Sequence, residues 1–225
     1  MKGLFSILIL FCTMLHLNAE VTLQYAATEV VKGAQTVYLP EYADKEKKEV
    51  AKWHKLSLNV HTATKSVVYN GGLELNFYRQ PSIEASKVGV AKLKKGQSSL
   101  MLVFIKVKEA YKVFPIDNET FNFGTYYLVN LSSSALGLKF EKGKSLLKSG
   151  EEVNLIPTEP SSDIEIFVER EGKSQKILAS RWKIRASQRE VILFYNSSNG
   201  KNVKRKHILS LKTVSYTHLT LPTIA

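Results

Sequence analysis

The chain of 225 residues predicts an all-β fold of two antiparallel β-sandwich domains, divided near residues 115 to 120. Three observations carry this expectation. Apolar residues recur at every second position along most of the chain, the spacing of half-buried strands. Gly- and Asn-centred turns separate these runs at short intervals, as in sandwiches and barrels. A polar break, Asp117-Asn118-Glu119, follows Pro115, and the same pattern restarts beyond it. One larger continuous sandwich is the alternative arrangement.

Taken in order, Val21, Leu23 and Tyr25 alternate with polar residues. Residues 66–69 and 73–77 flank Asn70-Gly71-Gly72, which reads as a tight hairpin turn because Asn-Gly tolerates positive φ. A second hairpin is expected between residues 88–93 and 100–107, across Lys94-Lys95-Gly96-Gln97. The run Leu100-Met101-Leu102-Val103-Phe104-Ile105 is apolar on both faces, so it predicts a central strand covered from both sides. Past the break, Tyr127, Val129 and Leu131 alternate, then Leu136, Leu138 and Phe140, then Val153 and Leu155. Ile164, Ile166 and Val168 lead through Arg170-Glu171-Gly172-Lys173 to Leu178 and Trp182. A last hairpin pairs residues 191–195 with 203–211 across Ser198-Asn199-Gly200. Residues 41–52, rich in Lys and Glu, break the pattern. Asp44 and Lys48 stand four apart there, which suits a short surface helix; a solvated loop is the alternative. No sequence repeat relates the two halves.

Both ends of the chain carry signals of their own. Lys2 precedes an apolar stretch over residues 4–17 without formal charge, and Ala19 offers a small residue before a cut. This is the pattern of a secretory signal peptide over residues 1–19, with a mature chain opening at Glu20. The apolar run is shorter than the roughly 20 residues of a spanning helix, and no second such run follows. An exported protein, periplasmic or extracellular and without a transmembrane segment after cleavage, is therefore expected. Cys12, the one cysteine, lies inside that segment, so the mature chain forms no internal disulfide and its core must supply the stability. Residues 214–223, Val-Ser-Tyr-Thr-His-Leu-Thr-Leu-Pro-Thr, resemble a translated sequencing adaptor in one continuous frame. We read residues 214–225 as a non-native tail, and His218 enters no functional argument. The expected domains are then residues 20–116 and 117–213.

Gly124 to Ser132, read as Gly-Thr-Tyr-Tyr-Leu-Val-Asn-Leu-Ser, is followed over residues 146–157 by a Ser149-Gly150-Glu151 turn. This stretch resembles uncharacterised exported bacterial proteins with immunoglobulin-like sandwiches, in which a strand ending Val-Asn-Leu-Ser precedes a short hairpin and a Gly-Glu turn. The resemblance covers roughly the C-terminal half. It implies an immunoglobulin-like sandwich and an envelope location, and it transfers no catalytic residue.

Sites of chemistry are sparse. His54, His61 and His207 lack zinc-ligand spacing and read as surface or strand histidines, so no metal or cofactor is expected. There is no Gly-x-Ser-x-Gly elbow for a nucleophile. Gly143-Lys144-Ser145 resembles the end of a phosphate loop, but Leu138 stands where that loop needs its first Gly. Glu165 and Glu169 share one strand face, which suggests solvation. Asn118-Glu119-Thr120, Asn130-Leu131-Ser132 and Asn196-Ser197-Ser198 are formal glycosylation sequons.

Charge is the feature above background. The formal net charge is +12, and residues 173–212 hold eleven basic residues against one acid, Glu190. Arg181, Lys183 and Arg185 alternate with Trp182 and Ile184, so one strand would display all three on a single face. Lys204, Arg205 and Lys206 follow just past the neighbouring hairpin turn. These six are the candidate polyanion-binding residues, for acidic glycan or lipid phosphate. The competing reading is a solvated edge whose lysines block aggregation. Trp182 alone does not make a stacking platform, which disfavours nucleic acid. The function expected from sequence is an exported, non-enzymatic accessory, adhesion or assembly module. A polyanion-binding module acting through residues 173–212 is the second reading, and a hydrolase with dispersed residues the third.

Overall fold

The computed structural model describes residues 20–44, 49–63, 65–170, 173–197 and 202–211. The expected signal peptide and tail lie outside the described residues. Sixteen strands are present among those described, and no helix. The first eight are β1 (Val21–Ala27), β2 (Thr36–Asp44), β3 (Glu49–Ser57), β4 (Ser66–Tyr69), β5 (Glu74–Tyr78), β6 (Lys87–Lys92), β7 (Ser99–Val107) and β8 (Ala110–Asp117). The second eight are β9 (Tyr126–Asn130), β10 (Leu136–Phe140), β11 (Gly143–Leu147), β12 (Glu152–Leu155), β13 (Ser161–Arg170), β14 (Lys173–Lys183), β15 (Gln188–Asn196) and β16 (Val203–Leu211).

Strands β1–β8 form two four-stranded sheets, ordered β4-β1-β7-β8 and β3-β2-β5-β6. Strands β9–β16 form two more, ordered β12-β9-β15-β16 and β11-β10-β13-β14. Adding eight to each strand number of the first pair reproduces the second. The correspondence extends to direction. The sheets are not wholly antiparallel as expected, because β1 runs parallel to β7 and β9 parallel to β15. Each half is a β-sandwich, and the topology repeats although the sequence shows no repeat.

Strand alternation places three apolar cores between four layers. On β7, Leu100, Leu102 and Phe104 point into the first sandwich beside Leu23, Leu39, Leu75 and Phe77. Met101, Val103 and Ile105 point the other way, onto Tyr127 and Val129 of β9, Val191 and Leu193 of β15 and Ile208 of β16. Tyr126, Leu128, Ile192 and Phe194 face the core of the second sandwich with Ile164, Ile166 and Trp182. The β7 run is thus covered on both sides, as its composition predicts. Burying one such Leu or Phe contributes about 1.5–3 kcal/mol, so the middle core ties the two sandwiches firmly together.

Two of the expected hairpins are crossings between sheets. Strand β4 pairs with β1 while β5 pairs with β2 and β6, so Asn70-Gly71-Gly72 carries the chain from one sheet to the other. Gly71 is needed for closeness and not for its φ: a Cβ there would lie 2.2 Å from the Tyr69 ring. Likewise β6 pairs with β5 and β7 with β1 and β8, making residues 93–98 a second crossing, with Gly96 at φ +90°. Local turn residues signal a reversal of direction, and they do not say which sheet receives the next strand. The hairpins β13–β14 and β15–β16 stand as expected. No helix occupies the described part of residues 41–52, where Glu41 and Asp44 belong to β2 and Glu49 and Lys52 to β3. Cross-strand pairing of Glu41 with Lys52 supplies the ladder bonds that outweigh the weak helical i,i+4 term.

Candidate functional site

The two halves differ where their last edge strands approach. In the first sandwich β6 and β8 close together, and a Cβ on Gly89 would sit 3.0 Å from Val113 Cγ2 and 3.2 Å from the Tyr111 carbonyl. The corresponding pair, β14 and β16, leaves an open cleft of ≈ 500 Å³. Strand β14 has no glycine, and its Trp182 fills the inside of the sandwich.

Three strands of the second sandwich supply most of the cleft. Arg181, Trp182 and Lys183 come from the end of β14, His207 and Leu209 from β16, and Gln188 and Glu190 from β15. The Tyr126 ring stacks on Trp182 at 4.3 Å between centroids, and its hydroxyl donates to the Lys183 carbonyl over 2.7 Å. These contacts hold the end of β14 over β9. Burial pushes the Tyr126 hydroxyl above its ordinary value, with the Glu190 charge adding to the shift and Arg185 opposing it. His61 reaches the rim from the first half of the chain: the Ala63 amide donates to the Leu209 carbonyl (2.8 Å), and the Leu209 amide to the His61 carbonyl (2.9 Å).

The six candidate residues do not act alike. Arg181 and Lys183 share the outer side of edge strand β14, whereas Arg185 lies two residues past its end, so the three are not on one strand face as expected. They still meet, because the chain turns at residues 185–188, where the Gln188 amide donates to the Arg185 carbonyl over 3.0 Å. Arg181 makes a two-pronged pair with Asp163, from Nε at 2.8 Å and Nη2 at 3.1 Å. That bond holds the Asp163 carboxyl below its usual range. Arg185 Nη1 donates to Gln188 Oε1 at 3.4 Å, and no carboxylate pairs with Lys183 or Arg185 among the described residues. On β16, Arg205 lies opposite Phe194, on the side that faces the second sandwich, whereas Lys204 and Lys206 lie opposite Tyr195 and Leu193 and face the other way. None of these three lines the cleft. Three consecutive residues of a strand cannot share a face.

Other residues singled out from sequence have structural partners. Glu190 pairs with His207 within the cleft. His54 is a strand histidine, buried on β3, and its Nε2 lies 2.8 Å from Glu41 Oε2. Glu165 bridges Lys139 and Lys176. Asn130 is fully buried; its amide donates to the carbonyls of Ser134 and Leu147, and its oxygen accepts from the Ser132 amide and hydroxyl. Gly143, Lys144 and Ser145 are part of strand β11. No cluster of three or more metal-ligating side chains occurs among the described residues. No helix among them is long and apolar enough to cross a membrane.

Fold and cleft together define an all-β protein of two stacked sandwiches, topologically repeated, with a basic opening in the second. No protein-family model matches the chain, and no curated protein matches it.

Proposed function

We propose that this protein is an exported, non-enzymatic accessory module of the cell envelope, with immunoglobulin-like sandwiches, that holds an acidic polymer at the β14–β16 cleft. One observation carries the reading: Lys183 and Arg185 converge on an opening that the first sandwich closes, and among the described residues neither is ion-paired, the Glu190 carboxylate in the cleft being paired with His207. A concave cationic rim focuses potential and raises the local concentration of anions. Among the described residues, those lining the cleft include no Ser, Thr or Cys, and Glu190 and His207 are engaged with each other. That set suits holding an anion better than attacking a bond. The apolar stretch over residues 4–17 and the small residue before Glu20 support export.

Retention on a heparin-like matrix tests the cleft. Replacing Lys183 and Arg185 together by Gln should lower the eluting salt concentration sharply. Arg181→Gln should do so less, since Asp163 already takes that charge. A control replacing the exposed Lys94 and Lys95, which do not line the cleft, removes the same net charge. Equal losses from the two double variants would mean that net charge alone drives retention, and the cleft reading would fall.

A further inference from the structure

The outer face of sheet β3-β2-β5-β6 carries an arrangement that the cleft does not use. Val37 and Leu39 of β2 and Phe77 of β5 point into the first core, so their neighbours Tyr38 and Tyr78 point outward. Tyr38 stands opposite Tyr78, Lys55 stands opposite Tyr38, and Lys87 stands opposite Tyr78. One row of side chains therefore crosses the whole sheet as Lys-Tyr-Tyr-Lys. Beside it Trp53 lies opposite Pro40 and meets the Tyr78 ring edge-on, at 5.8 Å and 87°. Tyr42 hydrogen-bonds Tyr78 through the side chains. Tyr78 is nearly covered by these neighbours, while Tyr38, Tyr42 and Trp53 remain half-exposed.

We propose that this face is a binding platform for an acidic saccharide, a short run of uronate-bearing sugar rings. Tyr and Trp present an apolar ring with a polar handle, which suits a ligand with a C–H face and a hydroxyl rim. Charge complementarity selects an acidic sugar over a neutral one: Lys55 and Lys87 bracket the aromatic centre at opposite edges of the sheet, both exposed, and neither joins an ion pair among the described residues. The lysines would meet carboxylates while the ring faces sit on Tyr38 and Trp53. The platform lies on the outermost layer of the first sandwich, and its residues are separate from those of the cleft, so the two sites stand or fall independently.

The chain contains two tryptophans, Trp53 and Trp182. In a Trp182→Phe background, fluorescence reports on the platform alone. Titration with an oligogalacturonide should shift Trp53 emission in a saturable way, and a neutral malto-oligosaccharide of equal length should not. Lys55→Gln with Lys87→Gln, exposed changes that leave the sheet intact, should weaken binding at least about fivefold and flatten its salt dependence. Trp53→Ala should weaken binding about tenfold or more, read by calorimetry with the dichroism spectrum unchanged. Lys183→Gln with Arg185→Gln should leave this binding as it was. Equal response to the neutral sugar, or no response to either, would overturn the proposal. So would concentration-dependent dimerisation lost on Trp53→Ala, since the face would then serve a second copy of the chain.

Discussion

The guanidinium of Arg189 on β15 donates to the side-chain oxygen of Asn118 over 2.6 Å and to the Asn118 backbone carbonyl over 3.1 Å. Asn118 follows the last strand of the first sandwich directly, and the bond fastens the connection between halves to the second. The same guanidinium reaches the Phe121 carbonyl, Gln24 of β1 and Ser210 of β16, and lies 5.0 and 4.8 Å from the ring centres of Phe121 and Phe123. It is buried with no carboxylate partner among the described residues. Burial lowers its proton affinity from the ordinary value, and carbonyls and aromatic faces take the place of water.

Arg189→Met should therefore cost about 3 kcal/mol or more, because several buried acceptors lose their donor together. Arg189→Lys should recover only part, since an ammonium cannot span the forked set of acceptors. Guanidinium chloride unfolding measures both. A loss below about 0.5 kcal/mol for Arg189→Met would mean that the middle core holds the halves together unaided.

Gly71→Ala should destabilise by about 1–3 kcal/mol, the usual cost of forcing an extra methyl into packed space. The methyl would meet the Tyr69 ring at 2.2 Å. In a Tyr69→Leu background the same substitution should cost much less. Equal costs in both backgrounds would place the strain in the backbone turn and not in the ring contact.

Glu41 and Tyr69 set opposite ends of a pH window. Burial would raise the Glu41 carboxyl, but hydrogen bonds from His54 and the Asn70 amide, with the charges of His54 and Lys52, hold it below its ordinary 4.5. A depressed folded value means stability present above pH 4.5 and lost as pH falls through that lower value. Burial pushes the Tyr69 hydroxyl from 10.0 up to about 12, with the Glu41 and Tyr42 charges adding to it. A raised value means stability intact below pH 10.0 and lost as pH climbs through about 12. Urea midpoints should show the gap between wild type and Glu41→Gln closing below pH 4.5. Tyr69→Phe should lack part of the alkaline decline. An unchanged gap at pH 3 would show that the carboxylate contributes nothing.

Much of the strand content was legible, because a period of two is written into Val21, Leu23 and Tyr25 and into Ile164, Ile166 and Val168. The two-sided burial of β7 was legible for the same reason, since six consecutive apolar residues leave no face for water. The candidate site was half legible. Charge spacing found Arg181, Lys183 and Arg185, but it also counted the buried Arg189 and two lysines on the wrong side of β16. The platform of Tyr38, Trp53 and Tyr78 escaped notice, because its members come from three strands whose order is not written locally.

By itself the sequence determined the local terms: which residues extend, which turn and which side of each strand is apolar. Alternation and turn chemistry act over two to five residues, and those distances lie within any short stretch of chain. Only the tertiary structure decided where the strands went. It sent β4 and β5 to different sheets across Asn70-Gly71, repeated the eight-strand topology without repeating the sequence, and stacked the sandwiches through a third core. It also closed β6 on β8 at Gly89 while leaving β14 apart from β16. Sheet membership depends on pairing partners far away in the chain, and the burial that rewards each pairing exists only once both partners are in place.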